Sequence, residues 1–216
     1  MKKILISIFI IMITVGVVSG TAFAVFSNKG EVKGMTMTTG NADLKIGATG
    51  KSGDGCISDG EGGKLCDSIS NYGTISGMYP GYLVGDYFRL KNVSESEISL
   101  VVTATLSSYA NSDGYPGSWG VLKNSVEARI LEYSSRDDAL WAYQNQDYNW
   151  SKVSSYTNWH DMEWWAGNSD QITGDPIGHD QLRHFVMWIR VSNEASNEIA
   201  EKSVDLNIEF TGTQSI

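Results

Sequence analysis

Near the C-terminus Val204, Leu206, Ile208 and Phe210 alternate with Asp205, Asn207, Glu209 and Thr211. On a helix these apolar side chains would scatter around the axis, whereas a strand puts all of them on one face and leaves the other solvated. The same period of two recurs at Phe88 and Leu90 against Arg89 and Lys91. It recurs again at Ile98, Leu100, Val102, Ala104 and Leu106 against Ser99, Thr103 and Thr105. It returns at Val126, Ala128 and Ile130 against Glu127 and Arg129, and at Phe185, Met187, Ile189 and Val191 against Arg190 and Ser192. Leu44 and Ile46 flank Lys45 in a further short strand. Runs of this kind, parted by Gly, Asn, Ser and Asp clusters, predict an all-β sandwich or barrel.

Helical patterning is scarce. The acidic start of Asp137-Asp138-Ala139-Leu140-Trp141-Ala142-Tyr143 suits a helix N-terminus, and Asn158 is positioned to cap a helix from Trp159 to Ala166. Both read as excursions between strands. They lie in a segment, 134–181, that holds Trp141, Trp150, Trp159, Trp164 and Trp165 among many Asn, Ser and Asp. Such aromatics can stack on sugar rings or form a protein contact surface. They can equally cover the open end of the sandwich as a minor core.

The N-terminus carries Lys2 and Lys3, an apolar run from Ile4 to Val18 and the small-residue exit Ala22-Phe23-Ala24. That order describes a secretory signal peptide over residues 1–24, cleaved between Ala24 and Val25. The run falls short of the ~20 residues of a spanning helix, although an uncleaved stretch reaching Phe26 would serve as an anchor. Cleavage leaves about 190 of the 216 residues, enough for one larger β domain. The formal charge of −9 becomes −11 once the two lysines are lost. A chain so acidic, with no cluster of Lys or Arg, is repelled by nucleic acid and by anionic membrane surfaces.

Cys56 and Cys66 both belong to the exported part, where an even count reads as one disulfide. It staples a Gly/Ser/Asp-rich loop within 47–70. Zinc would need two more ligands, and no His or other Cys lies nearby. Asp54, Asp59, Glu61 and Asp67 around the disulfide read as a solvated acidic loop, with calcium as the alternative, although the EF-hand spacing is missing. No catalytic residues are assigned. His160, His179 and His184 are the only histidines, and no zinc-protease, nucleophile-elbow, phosphate-loop or dinucleotide motif is present. No cofactor or resident metal is expected. Asn92-Val93-Ser94 and Asn149-Trp150-Ser151 match the glycosylation pattern.

Three motifs carry a family resemblance. The exit Ala22-Phe23-Ala24 is followed by Val25-Phe26-Ser27 and then by Thr39-Gly40-Asn41-Ala42-Asp43-Leu44. Pro80-Gly81 precedes Phe88-Arg89-Leu90-Lys91-Asn92, with Tyr82 where an Asp is usual. Asn197-Glu198-Ile199-Ala200-Glu201-Lys202-Ser203 precedes Ile208-Glu209-Phe210 and Gln214, departing at Ile199, Ala200 and Glu201. Together these resemble the TasA and camelysin-type proteins, at both ends of the domain and not over 107–180.

The resemblance implies a jelly-roll sandwich of roughly 7–9 antiparallel strands over 39–216, exported through a signal peptidase of the SipW type. It also implies an extracellular matrix or surface filament whose partners are further copies of the chain. Residues 25–38 would then be a donor strand, with Val25, Phe26, Val32, Met35 and Met37 spaced for an extended chain seeking a sheet edge. Head-to-tail donation makes open filaments. Camelysin-type members are described as metallopeptidases, but this chain lacks a recognisable ligand pair, so that activity is not carried over.

Overall fold

The computed structural model describes residues 27–30, 37–38, 43–48, 53–69, 74–75, 77–94, 98–110, 118–200, 202 and 204–215. Within them the longest alternating runs become the longest strands, in two six-stranded antiparallel sheets. The first sheet is built on β8 (Leu100–Ala110) and β14 (Val204–Gln214), with β12 (Ser169–Gln171) outside β8. Outside β14 lie β1 (Ser27–Gly30), then β2 (Met37–Thr38), and β6 (Thr74–Ile75) also pairs with β14. The second sheet places β13 (Leu182–Val191) between β7 (Leu83–Asn92) and β9 (Val126–Tyr133). β3 (Leu44–Ala48) lies outside β7, while β10 (Val153–Tyr156) and β11 (His160–Asp161) lie outside β9. A ribbon of β4 (Ile57–Ser58) and β5 (Lys64–Leu65) completes fourteen strands among the described residues, five of them two residues long.

The sheets meet through the apolar phase of each run. Phe88 stacks on Phe185 of its neighbouring strand at 5.2 Å and lies 5.1 Å from Phe210 of the opposite sheet. Leu90, Leu100, Val102, Ile130 and Ile189 fill the same core. The chain is therefore mostly antiparallel β, with its main core between two sheets.

One solvated face per sheet was expected, and the second sheet departs from it. Its outer face holds another core of Tyr87, Leu131, Tyr133, Val186 and Trp188. Among the described residues the short helices are α1 (Ser118–Leu122), α2 (Arg136–Asn145) and α3 (Met162–Gly167). Helix α2 lies on that outer face through buried Ala139 and Ala142. It starts where Ser135 accepts from the Asp138 amide at 3.2 Å, with Asp137 and Asp138 in its positive first turn. Gly85 makes room for the layer: a Cβ there would lie 3.0 Å from the Trp188 ring and from Val186. Its N–H donates to Gln146 Oε1 at 2.8 Å, tying β7 to the end of α2.

The second expected helix begins later than Asn158. Asp161 is the cap, accepting from the Trp164 amide at 2.7 Å, so the helix runs Met162–Gly167. The stretch before it is drawn onto the edge of β9: Thr157 N–H donates to Ile130 O at 2.9 Å, and His160 pairs with Ala128. Segment 134–181 thus supplies edge strands to both sheets as well as helices.

Candidate functional site

The first candidate is the edge of the first sheet. β1 runs antiparallel to β14 with Ser27 opposite Thr213 and Gly30 opposite Phe210, and β2 adds to β1 with Lys29 opposite Thr38. Among the expected donor residues, Met37 lies in β2. Val25, Phe26, Val32 and Met35 lie outside the described residues, as do the cleavage residues Ala22 and Ala24. The second sheet is covered at β3. Ile46 and Cys66 exchange backbone hydrogen bonds of 2.9 and 2.7 Å, so the disulfide-bearing segment lies along that edge.

The Cys56–Cys66 disulfide is formed. Most of its loop is exposed, as a solvated surface loop should be, but Asp59 is not. Asp59 is buried against the outer face of the second sheet, where its Oδ2 pairs with Arg89 Nη2 at 2.5 Å. Asp59 Oδ1 accepts from the amides of Glu61 and Gly63 at 2.7 and 2.8 Å. Two glycines make the pair possible. A Cβ at Gly63 would lie 1.8 Å from Arg89 Nη2, and one at Gly47 would lie 2.7 Å from Arg89 Nε. Burial pushes the Asp59 carboxyl up, but the Gly63 and Glu61 amides and the Arg89 guanidinium together hold it below its ordinary value.

The acidic residues around the disulfide do not converge on one point. Asp67 pairs with Lys45, Asp59 with Arg89, and Glu61 lies 3.5 Å from Arg136 and 4.0 Å from His184. These three find partners on the protein, and no group of three or more metal-ligating side chains occurs among the described residues. The histidines are dispersed as well. His184 is buried, His160 stacks on Trp164 at 3.5 Å beside Asp170, and His179 is exposed.

His184 sits opposite Arg89 and Tyr133, and its Nδ1 is 2.9 Å from the Tyr87 hydroxyl. Burial, reinforced by Arg89 and Arg136 and opposed by Asp59 and Asp137, lowers its pKa to about 4. The unfolded chain, with an ordinary value near 6.5, therefore takes up this proton first as the pH falls. The stability that neutral His184 confers is whole above pH 6.5 and is lost by about pH 4, some ~3 kcal/mol at most. Buried Glu132 works the other way: burial raises its pKa against the Gly174 amide and Arg183, so it favours the fold in acid. Urea midpoints at pH 7.5 and 5 should accordingly fall more for the unsubstituted protein than for His184→Gln. An equal fall in both would refute this account.

The five tryptophans of the insert do not form one surface. Trp165 belongs to the main core and donates from Nε1 to Ala128 O at 3.1 Å, and Trp164 packs against that core. Trp159 is half-buried on the outer face, whereas Trp141 and Trp150 are exposed. Of the five, Trp159 packs against the second core, so the insert does contribute to a minor core. The insert residues that sequence reasoning passed over are Tyr148 and Tyr156. Tyr148 contacts Trp150, Trp159 and Trp188 at 5.6, 6.3 and 4.7 Å, and Tyr156 meets Trp150 edge-on at 5.5 Å. Arg129, expected on a solvated face, is enclosed by Trp150, Tyr156 and Trp159, with its guanidinium carbon 4.8, 5.3 and 5.2 Å from their centroids.

The two glycosylation patterns also separate. Asn92 is fully buried, and its Nδ2 donates to Ile98 O and Ile177 O at 2.6 and 2.9 Å. Its Oδ1 accepts from the amide and hydroxyl of Ser94, so in the folded chain this amide is part of the frame. Asn149 opens the turn that carries Trp150, and Ser151 is exposed. Compared with models of protein families and with curated proteins, the chain matches none.

Proposed function

We propose that the chain is a secreted structural subunit of an extracellular matrix or cell-surface filament, a jelly-roll sandwich that assembles by donating its N-terminal strand to a neighbouring copy. The observation that supports the reading is the pairing of Ser27–Gly30 with the C-terminal strand β14 at the edge of the first sheet. A short strand such as β1, held by backbone pairing between the long β14 and the two-residue β2, can be supplied by its own chain or by the same segment of another. The covered β3 edge adds direction, because backbone pairing to a second copy is favoured where the sheet is open. Among the described residues the histidines and carboxylates are dispersed, which gives no comparable support to a metallopeptidase.

Register makes the test specific. Lys29 lies opposite Thr211, so Lys29→Cys and Thr211→Cys, made in separate copies, would be neighbours only if the strand is donated between chains. The two secreted proteins, mixed and oxidised, are expected to give dimers cross-linked between positions 29 and 211, and the double variant a ladder. Cross-linking confined within single chains would reject donation, as would filaments in electron micrographs that persist after residues 25–38 are deleted.

A further inference from the structure

We propose that the corner formed by Trp150 and Tyr156 binds a polysaccharide whose pyranose rings carry carboxylates. This stands whether or not the chain polymerises. Trp150 is 49% and Tyr156 56% exposed, and their rings meet at 84° and 5.5 Å. One ring face can receive a sugar ring through its C–H face while the other bounds it, which is how aromatic side chains hold a flat amphipathic ligand. The rings are also held in place. Tyr156 lies on β10, Trp150 opens a 3₁₀ turn, and Tyr148 contacts Trp150 from the second core. Little side-chain freedom is then left to lose on binding.

The charge of the site argues for an acidic sugar. Arg129 lies behind both rings and is 7% exposed, its Nη2 donates to Thr157 O at 3.1 Å, and its Nε has no hydrogen-bond partner among the described residues. Arg129 makes no ion pair among them either, while Arg190 beside it over Trp159 is matched by Glu127 at 2.6 Å. Lys152, in the same turn as Trp150, is half-exposed and only 4.0 Å from its nearest carboxylate, on Asp138. A chain of net charge −9 thus presents a cationic aromatic spot. Exposed Ser151, Ser154 and Asn158 around it offer groups for sugar hydroxyls. Size separates this ligand from a folded protein. Two half-exposed rings present about 200 Å², near what one sugar can cover and well short of the ~800 Å² per partner of a stable protein interface. A nucleic acid would meet the overall negative charge along its length.

The test is electrophoresis of the secreted protein through native gels with and without polygalacturonate. Protein and probe are both negative, so non-specific ionic attraction works against the result. Retardation is expected, reduced about tenfold or more in apparent affinity by joint Trp150→Ala and Tyr156→Ala, and unchanged by Trp141→Ala. Trp141 is equally exposed but lies on helix α2, so it controls for exposed indole as such. If the double variant lacks the thermal unfolding transition of the parent, Tyr156→Ala alone carries the comparison. The proposal is overturned by an unretarded parent protein, by retardation in a neutral glucan alone, or by retardation that a folded variant keeps.

Discussion

Asp59→Ala should cost about 3–5 kcal/mol of folding stability, although the residue lies in a Gly-rich loop and is itself part of no strand. The substitution strands Arg89. That guanidinium is buried on the outer face of the second sheet, and Asp59 is its ion-pair partner at 2.5 Å. Removing one member of a buried pair leaves an uncompensated charge, which costs far more than the pair contributes. The carboxylate also accepts the Glu61 and Gly63 amides that shape the loop, so two partly buried donors lose their acceptor as well. Arg89→Met in the Asp59→Ala background removes the stranded charge and should recover most of the loss, leaving the two amides to account for the rest. Urea unfolding of the four proteins of this cycle gives the coupling directly. An Asp59→Ala protein within about 1 kcal/mol of the parent would show that water reaches Arg89 and that the loop is not a plug.

The same pair shows why the fold was partly legible. Phe88 and Leu90 announce the inner face of β7 by their spacing, and Phe185, Met187 and Ile189 do so for β13. The outer face was misread because Arg89, Arg129 and Arg190 look like solvent contacts when only the alternation is weighed. Tyr87, Leu131, Tyr133, Val186 and Trp188 occupy that same polar phase, and a strand apolar on both phases is one covered on both faces. That signal was present in the run Phe185-Val186-Met187-Trp188-Ile189. What covers the face was not legible. The charged partners of Arg89 and His184 are Asp59 and Glu61, and Glu61 also meets Arg136, residues separated in sequence and joined only by the fold. The helix cap was displaced from Asn158 to Asp161 for a similar reason: pairing with β9 claims Thr157 and His160 first. The aromatic corner escaped because it needs Tyr156 and Arg129 as well as a tryptophan, and counting tryptophans finds neither.

Trp188→Ala should remove about 3–5 kcal/mol, and the way it does so tests whether the outer layer is part of the fold or a lid upon it. Trp188 is fully buried in the second core, which also holds Ala139 and Ala142 of α2, and its ring lies 4.7 Å from Tyr148. Truncation leaves a cavity that neighbouring backbone can only partly fill, and Gly85, against which the ring packs, has no side chain to help fill it. Met187 and Ile189, on either side of it along β13, face the main core. The two cores therefore share one strand, and loss in one should be felt in the other. Urea unfolding followed by tryptophan fluorescence and by far-ultraviolet circular dichroism should show coincident transitions, both shifted to lower denaturant. Transitions that separate would make α2 and the turn around Trp150 a layer that opens by itself. The ligand corner would then depend on an opening element, and its affinity would be reduced by the fraction of time that element spends open.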